Sequence, residues 1–128
     1  MTISADHDAI VVAKYAATAI ADKRGLNVVL LDVSELVVLT DVFVIATGTS
    51  NRHVKTLVQE TESSLKAPEG LARRPIRREG ETFARWVLLD YGDVVVHVFD
   101  EETRSYYDLE RLWADAPRIA FEPVPTEA

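Results

Sequence analysis

The run DVFVIATGTSNRHVKTLVQETESSLK, Asp41 to Lys66, decides the architecture of this chain. Asp41 to Thr47 is β-branched and apolar, too short for a helix and too uniformly apolar for a strand with one wet face. It predicts a strand in a sheet covered on both sides. Directly behind it, Gly48, Thr49, Ser50 and Asn51 supply a tight turn and cap candidates. Val54, Leu57, Val58, Thr61 and Leu65 then repeat on one helical face until Pro68 forbids continuation. The unit is a strand over 41–47, a turn, and a helix over 51–66.

Upstream, Asn27 to Val33 (NVVLLDV) has the same character and predicts a neighbouring strand. Ile10, Ala13, Ala17 and Ile20 recur at helical spacing before it, so a helix over 4–24 is expected, with Ser4 or Thr2 as cap and Gly25 as stop. Downstream, the stretch from Glu69 to Ala84 is rich in Arg, Gly and Pro and reads as an irregular connection with a short edge strand at Arg73 to Arg77. Trp86 to Tyr91 and Val94 to Phe99, joined through Gly92 and Asp93, predict an antiparallel hairpin. Asp100 can then cap a closing helix with Glu101 and Glu102 in its first turn and Tyr106, Leu109, Leu112 and Trp113 as its packing side. After Ala116 the segment PRIAFEPVPTEA holds three prolines and no periodicity, so residues 117–128 are expected to be a mobile tail behind one domain at 1–116. The fold class is α/β (α+β), a mixed sheet flanked by helices.

Composition narrows the functions. The 128 residues hold 14 Lys plus Arg against 21 Asp plus Glu, 48% hydrophobic residues and no cysteine. A disulfide framework, a cysteine zinc site and a thiol nucleophile are excluded, and three scattered histidines make a poor metal site. The N-terminal stretch carries Asp6 and Asp8 and has no basic-then-apolar signal pattern. The longest charge-free run, Val42 to Asn51, is about half of the ~20 apolar residues a spanning helix needs. A cytoplasmic protein with no membrane partner is the expectation. Residues 1–89 hold 11 acidic and 11 basic side chains, whereas residues 90–128 hold 10 acidic and 3 basic, so the whole net charge of −7 sits in the last third. Such a surface disfavours DNA or RNA and favours a basic protein. One local exception is LARRPIRREGETFAR, where Arg73, Arg74, Arg77, Arg78 and Arg85 could touch RNA, although a solvated loop is the plainer reading.

Candidate chemistry is sparse. Gly48, Thr49 and Ser50, between a strand and a helix, could present amides to an anion, or could simply form a turn and cap. A nucleotidyl-transferring enzyme would need converging carboxylates at that turn, and none follow. Glu60 and Glu62 lie ~200° apart around a helix, and Asp90 and Asp93 flank a turn, where acids usually bond local amides. Ser50 with His53 has nucleophile-and-base spacing but lacks an orienting acid. His97 shares a strand face with Val95 and Phe99 and reads as a buried or half-buried, hydrogen-bonding histidine. No catalytic residue, metal or cofactor is therefore assigned. Trp86, Tyr91, Tyr106, Tyr107 and Trp113 gather near acids, which fits either a core or a protein-binding surface. The binding version uses Trp86 and Tyr91 as apolar anchors and Asp90, Asp93 and Glu110 as partners for basic side chains.

The segments TDVFVIATGTSNRHVKTL (Thr40 to Leu57) and WVLLDYGDVVVHVFDEETRSYYDLERLW (Trp86 to Trp113) resemble the ribosomal silencing factor, or Iojap-like, family. The T-D-x-F start, the A-T-G-T-S-x-R-H turn, W-x-x-x-D-x-G-D-x-x-V-H and R-x-Y-Y-x-L-E-x-L-W occur in order. Val42 departs from the pattern where the family often has an aromatic residue. The resemblance implies a small mixed-sheet protein, similar to the nucleotidyltransferase fold but without its catalytic acids and without turnover. It also implies binding to the large ribosomal subunit through ribosomal protein L-fourteen, blocking the small subunit and repressing translation, or assisting large-subunit assembly in organelles. It leaves open a homodimer of the free protein. The alternatives are a nucleotide-binding or nucleotidyltransferase-like enzyme using the Gly48 to Ser50 turn, and a dimeric adaptor with another partner.

Overall fold

The computed structural model describes residues 3–122. At its centre is the strand read first, here β2 (Val42–Gly48), every residue of which is buried. With β1 (Leu26–Asp32), β3 (Arg77–Glu79), β4 (Trp86–Asp90), β5 (Val94–Asp100) and β6 (Arg118–Ile119) it forms a six-stranded sheet in the order β3-β4-β5-β2-β1-β6. β2 runs parallel to β5 from Val42 opposite Val94 to Gly48 opposite Asp100, and every other pairing is antiparallel. The β4–β5 hairpin is as expected, with the Tyr91 N–H donating to the Val94 carbonyl at 2.8 Å and Gly92 taking the left-handed turn at φ +88°.

Two helices cover one face: α1 (His7–Asp22) and α2 (Asn51–Lys66). Ala9, Ala13, Ala16 and Ala17 on α1 are fully buried, and their small side chains let it lie close to both α2 and the sheet. Leu57 and Leu65 on α2 are fully buried too, each contributing about 1.5–3 kcal/mol by removal from water. Gly48 is required at the strand-to-helix turn, because a Cβ there would sit 2.9 Å from the Val54 backbone nitrogen. The other face is aromatic. It carries Phe43, Ile45, Val95 and Phe99, with Trp86, Leu88 and Trp113 half-buried around them. Two short helices, α3 (Glu101–Tyr107) and α4 (Leu109–Leu112), cover only part of it.

Several local expectations are corrected. α1 starts at His7 under an Asp6 cap whose Oδ2 accepts from the Asp8 N–H at 3.0 Å. Ser4 is drawn elsewhere: the Ser4 and Ala5 N–H groups donate to Asp32 Oδ2 at 2.6 and 3.0 Å, tying the chain start to the end of β1. The alternative cap, Thr2, lies outside the described residues. The edge strand falls at Arg77–Glu79 rather than 73–77; Pro75 has no N–H to donate to a ladder, and Arg73 is held by the hairpin turn. The closing helix is two helices. Asp108 adopts a left-handed conformation at φ +46°, which Asp tolerates better than most residues, and breaks the run. Leu109 stays buried, but Tyr106 and Leu112 end up exposed rather than packed. The first residues of the supposed tail are ordered into the sheet: the Pro117 carbonyl accepts from the Asp32 N–H at 2.8 Å, and buried Ile119 pairs with Leu30. Residues 123–128 lie outside the described residues.

Candidate protein-binding face

Strand parity builds this face. On β4, Val87 and Leu89 point to the helices and are fully buried, while Trp86, Leu88 and Asp90 point to the aromatic side and are half-buried. The Trp86 ring stacks on Phe99 with centroids 4.8 Å apart and tilts against Tyr107 at 4.9 Å. Its Nε1–H donates to His97 Nδ1 at 3.1 Å. Phe43 meets His97 edge-on at 4.9 Å and Trp113 at 5.5 Å. A continuous aromatic track thus crosses β4, β5 and β2, ending at Trp113 behind α4.

His97 anchors that track. Burial pushes its pKa down to about 4, so the ring is neutral at ordinary pH. With Nδ1 accepting from Trp86, the proton sits on Nε2, which is buried and has no hydrogen-bond partner among the described residues. The sequence-based reading of a buried, bonded histidine is correct, and the bond orients the tryptophan.

The five expected partner-binding residues do not form one patch. Trp86 and Asp90 share the aromatic face, but Tyr91 is only 2% exposed and packs in the helix-covered core. It lies five positions after Trp86, and an odd offset along a strand changes the face. Burial drives its phenol up to about 12, and its hydroxyl has no partner among the described residues. Tyr91 is therefore core, not an exposed anchor. Asp90 accepts from the Gly92 N–H at 2.8 Å and pairs with Arg77 at 3.4 Å. Asp93 is clasped by Arg73 at 2.5 Å, and the same guanidinium donates to the Tyr91 carbonyl at 2.7 Å. Glu110 lies across the sheet from Trp86, holding Arg104 at 3.0 Å and Arg118 at 3.8 Å. All three acids are engaged within the chain.

Three of the five arginines of the 73–85 stretch are engaged the same way. Arg73 and Arg77 hold the hairpin acids, and Arg78 reaches Glu62 on α2 at 2.8 Å. The Gly48 to Ser50 turn is built as a cap. Ser50 Oγ accepts from the His53 N–H at 3.0 Å, and the Thr49 N–H donates to His53 Nδ1 at 2.9 Å. The His53 Nε2–H then donates to the Lys23 carbonyl at 2.7 Å, so the ring pins the end of α1 to this turn and is not poised to deprotonate Ser50. No group of three or more His, Cys, Asp or Glu among the described residues could hold a metal ion. No helix among them is long and apolar enough to cross a membrane.

The family model described as "Ribosomal silencing factor during starvation" matches residues 6–128, and the chain belongs to that family. It is 40% identical over 109 residues to the "Ribosomal silencing factor RsfS" of Halalkalibacterium halodurans, covering 85% of this chain and 91% of that one. A mouse protein named "Mitochondrial assembly of ribosomal large subunit protein 1" is 33% identical over 94 residues, covering 69% of this chain and 41% of its own length. The crystal structure of a Chromobacterium violaceum protein superposes with a TM-score of 0.77 at 36% identity, covering 94% of this chain and 92% of that one.

Proposed function

We propose that this protein silences translation without turnover, by docking its half-covered aromatic face on the large ribosomal subunit through ribosomal protein L-fourteen and so blocking the small subunit. The observation that carries this reading is Trp86. A large aromatic is held rigidly by Phe99, Tyr107 and His97, yet remains half-buried on a sheet face that α3 and α4 only partly close. Rigid, partly exposed aromatics are the residue type that dominates binding energy at protein interfaces. The acidic last third of the chain supports a basic protein partner over RNA. The names of the relatives support the ribosome and, in the mouse protein, its large subunit. Such a factor works where ribosomes are, which for a bacterial-type chain is the cytoplasm.

Co-sedimentation with isolated large subunits, isolated small subunits and paired ribosomes is the test. The chain should travel with large subunits alone and reduce the paired fraction when subunits are mixed. Equal retention on small subunits, or retention on none, would overturn the reading.

A further inference from the structure

Beside Trp86 the aromatic face opens into a groove of about 890 Å³ whose lining includes Phe83, Trp86, Tyr106, Tyr107, Arg85 and Glu102. Three of its rings bury little within the chain: Phe83 and Tyr106 are each 77% exposed and Tyr107 is 53% exposed. The rings are nonetheless arranged. Tyr107 sits 4.9 Å from Trp86 at 50°, and Tyr106 meets Tyr107 at 5.0 Å and 81°. Exposed aromatic rings gathered beside one open space offer faces that can attract a cation brought within ~6 Å of a ring centroid.

The charges agree. Asp100 and Glu102 line the groove, and the residues on either side of its Gly80, Glu79 and Glu81, are exposed acids. Asp100 is spent capping α3, its Oδ1 accepting from the Thr103 N–H at 2.8 Å, which leaves Glu102 as the exposed carboxylate of the lining. Among the described residues, Arg85 is the one cation in the lining. We propose that this aromatic and acidic groove receives an arginine or lysine side chain presented by a basic protein partner, with Tyr106, Tyr107 and Phe83 flanking the cation and Glu102 pairing with it. A nucleic-acid ligand would also stack on these rings, but its phosphates would meet Glu102 and the flanking acids. The assignment rests on the reading of this chain as a factor that docks on a basic protein.

The direct test titrates the ¹⁵N-labelled full chain with L-arginine amide, with L-citrulline amide, which keeps the α-amine but replaces the guanidinium by a neutral urea group, and with adenosine monophosphate. Arginine amide should shift the Trp86 indole signal and the backbone signals of 83–86 and 101–107 saturably in the millimolar range. Citrulline amide should leave them in place, and Glu102→Gln should weaken the arginine amide response at least threefold. Shifts with the nucleotide but not with arginine amide, equal shifts with both amides, or none with either would overturn the proposal. A second arm measures large-subunit co-sedimentation. Glu102→Lys should lower affinity about tenfold, and Phe83→Ala with Tyr106→Ala three- to tenfold, with circular dichroism unchanged at these exposed positions. Parent-like retention of both variants would overturn the groove's role. If the parent itself fails to sediment, the ribosomal reading falls, and the amide titration still decides the groove.

Discussion

The two faces of one sheet are built from the same strands and to opposite ends. Toward α1 and α2, the sheet presents Leu30, Val42, Val44, Ala46, Val87, Leu89, Val94, Val96 and Val98, aliphatic and closed. Toward α3 and α4, it presents Phe43, His97, Phe99, Trp86 and Leu88, aromatic, partly polar and only half-closed. The first face needs only to exclude water. The second holds shape through ring packing and one hydrogen bond while leaving surface available. The closed core and the proposed docking face are thereby separated by the two-residue period of the strands.

The largest effect should come from the closed face. Leu89→Ala removes a fully buried side chain and should cost about 2–5 kcal/mol of unfolding free energy. Leu88→Ala, one residue along and facing the aromatic side, should cost less because that side chain is half-buried. Denaturant unfolding of both variants checks the contrast, and equal losses would break the distinction between the faces.

Next comes the buried imidazole. His97 titrates near 4 when folded against 6.5 for the free side chain, so the unfolded chain binds the extra proton first. Its contribution is fully present above pH 6.5 and is lost as pH falls toward 4, a change of about 3 kcal/mol. Asp32, whose carboxylate four hydrogen bonds from Ser4, Ala5 and Ser34 hold below its usual value against the opposing effect of burial, also loses its contribution in acid, but at lower pH. Unfolding curves at pH 7 and pH 5 for the parent and for His97→Leu separate the two. A parent-like pH slope in the variant would remove His97 as the cause.

Third, Trp86→Ala should weaken large-subunit binding by roughly thirtyfold or more, which corresponds to about 2 kcal/mol. Trp86→Phe keeps a ring against Phe99 but loses the bond to His97, so an intermediate loss would separate stacking from positioning. Parent-like retention of a folded Trp86→Ala would move the docking surface elsewhere.

The central strands, both main helices and the hairpin were legible because each rests on a local signal: a β-branched run, a helical spacing, a Gly-Asp turn. Strand parity was legible too, since Trp86 and Tyr91 differ by an odd number, yet placing both on one surface ignored it. What no local signal carries is which acid meets which base. Asp90, Asp93 and Glu110 read as partner contacts because their arginines, Arg77, Arg73 and Arg104 with Arg118, are brought to them only by the fold. The break at Asp108 was invisible for a related reason: Asp tolerates the left-handed region without demanding it, and the packing that buries the next residue, Leu109, is set by the fold. Phe83 lay in a stretch read as irregular, and it becomes part of a groove only once β4 and α3 are in place.

The smallest effect lies at the sheet edge, where the two faces meet solvent. On β3, Arg78 turns toward the helices and pairs with Glu62, while Arg77 turns the other way and pairs with Asp90. The Arg78 and Glu62 side chains are 43% and 26% exposed, so water and salt screen their attraction. A double-mutant cycle over Arg78→Ala and Glu62→Gln should give a coupling of about 0.2–1 kcal/mol that shrinks in 1 M salt. Arg77→Ala, whose side chain is 60% exposed at 3.4 Å from Asp90, should change stability no more. If the edge only trims the sheet, the two substitutions add. A coupling above about 2 kcal/mol between Arg78 and Glu62 would mean instead that the closed face extends to β3, and that its aliphatic core depends on an ion pair at its rim.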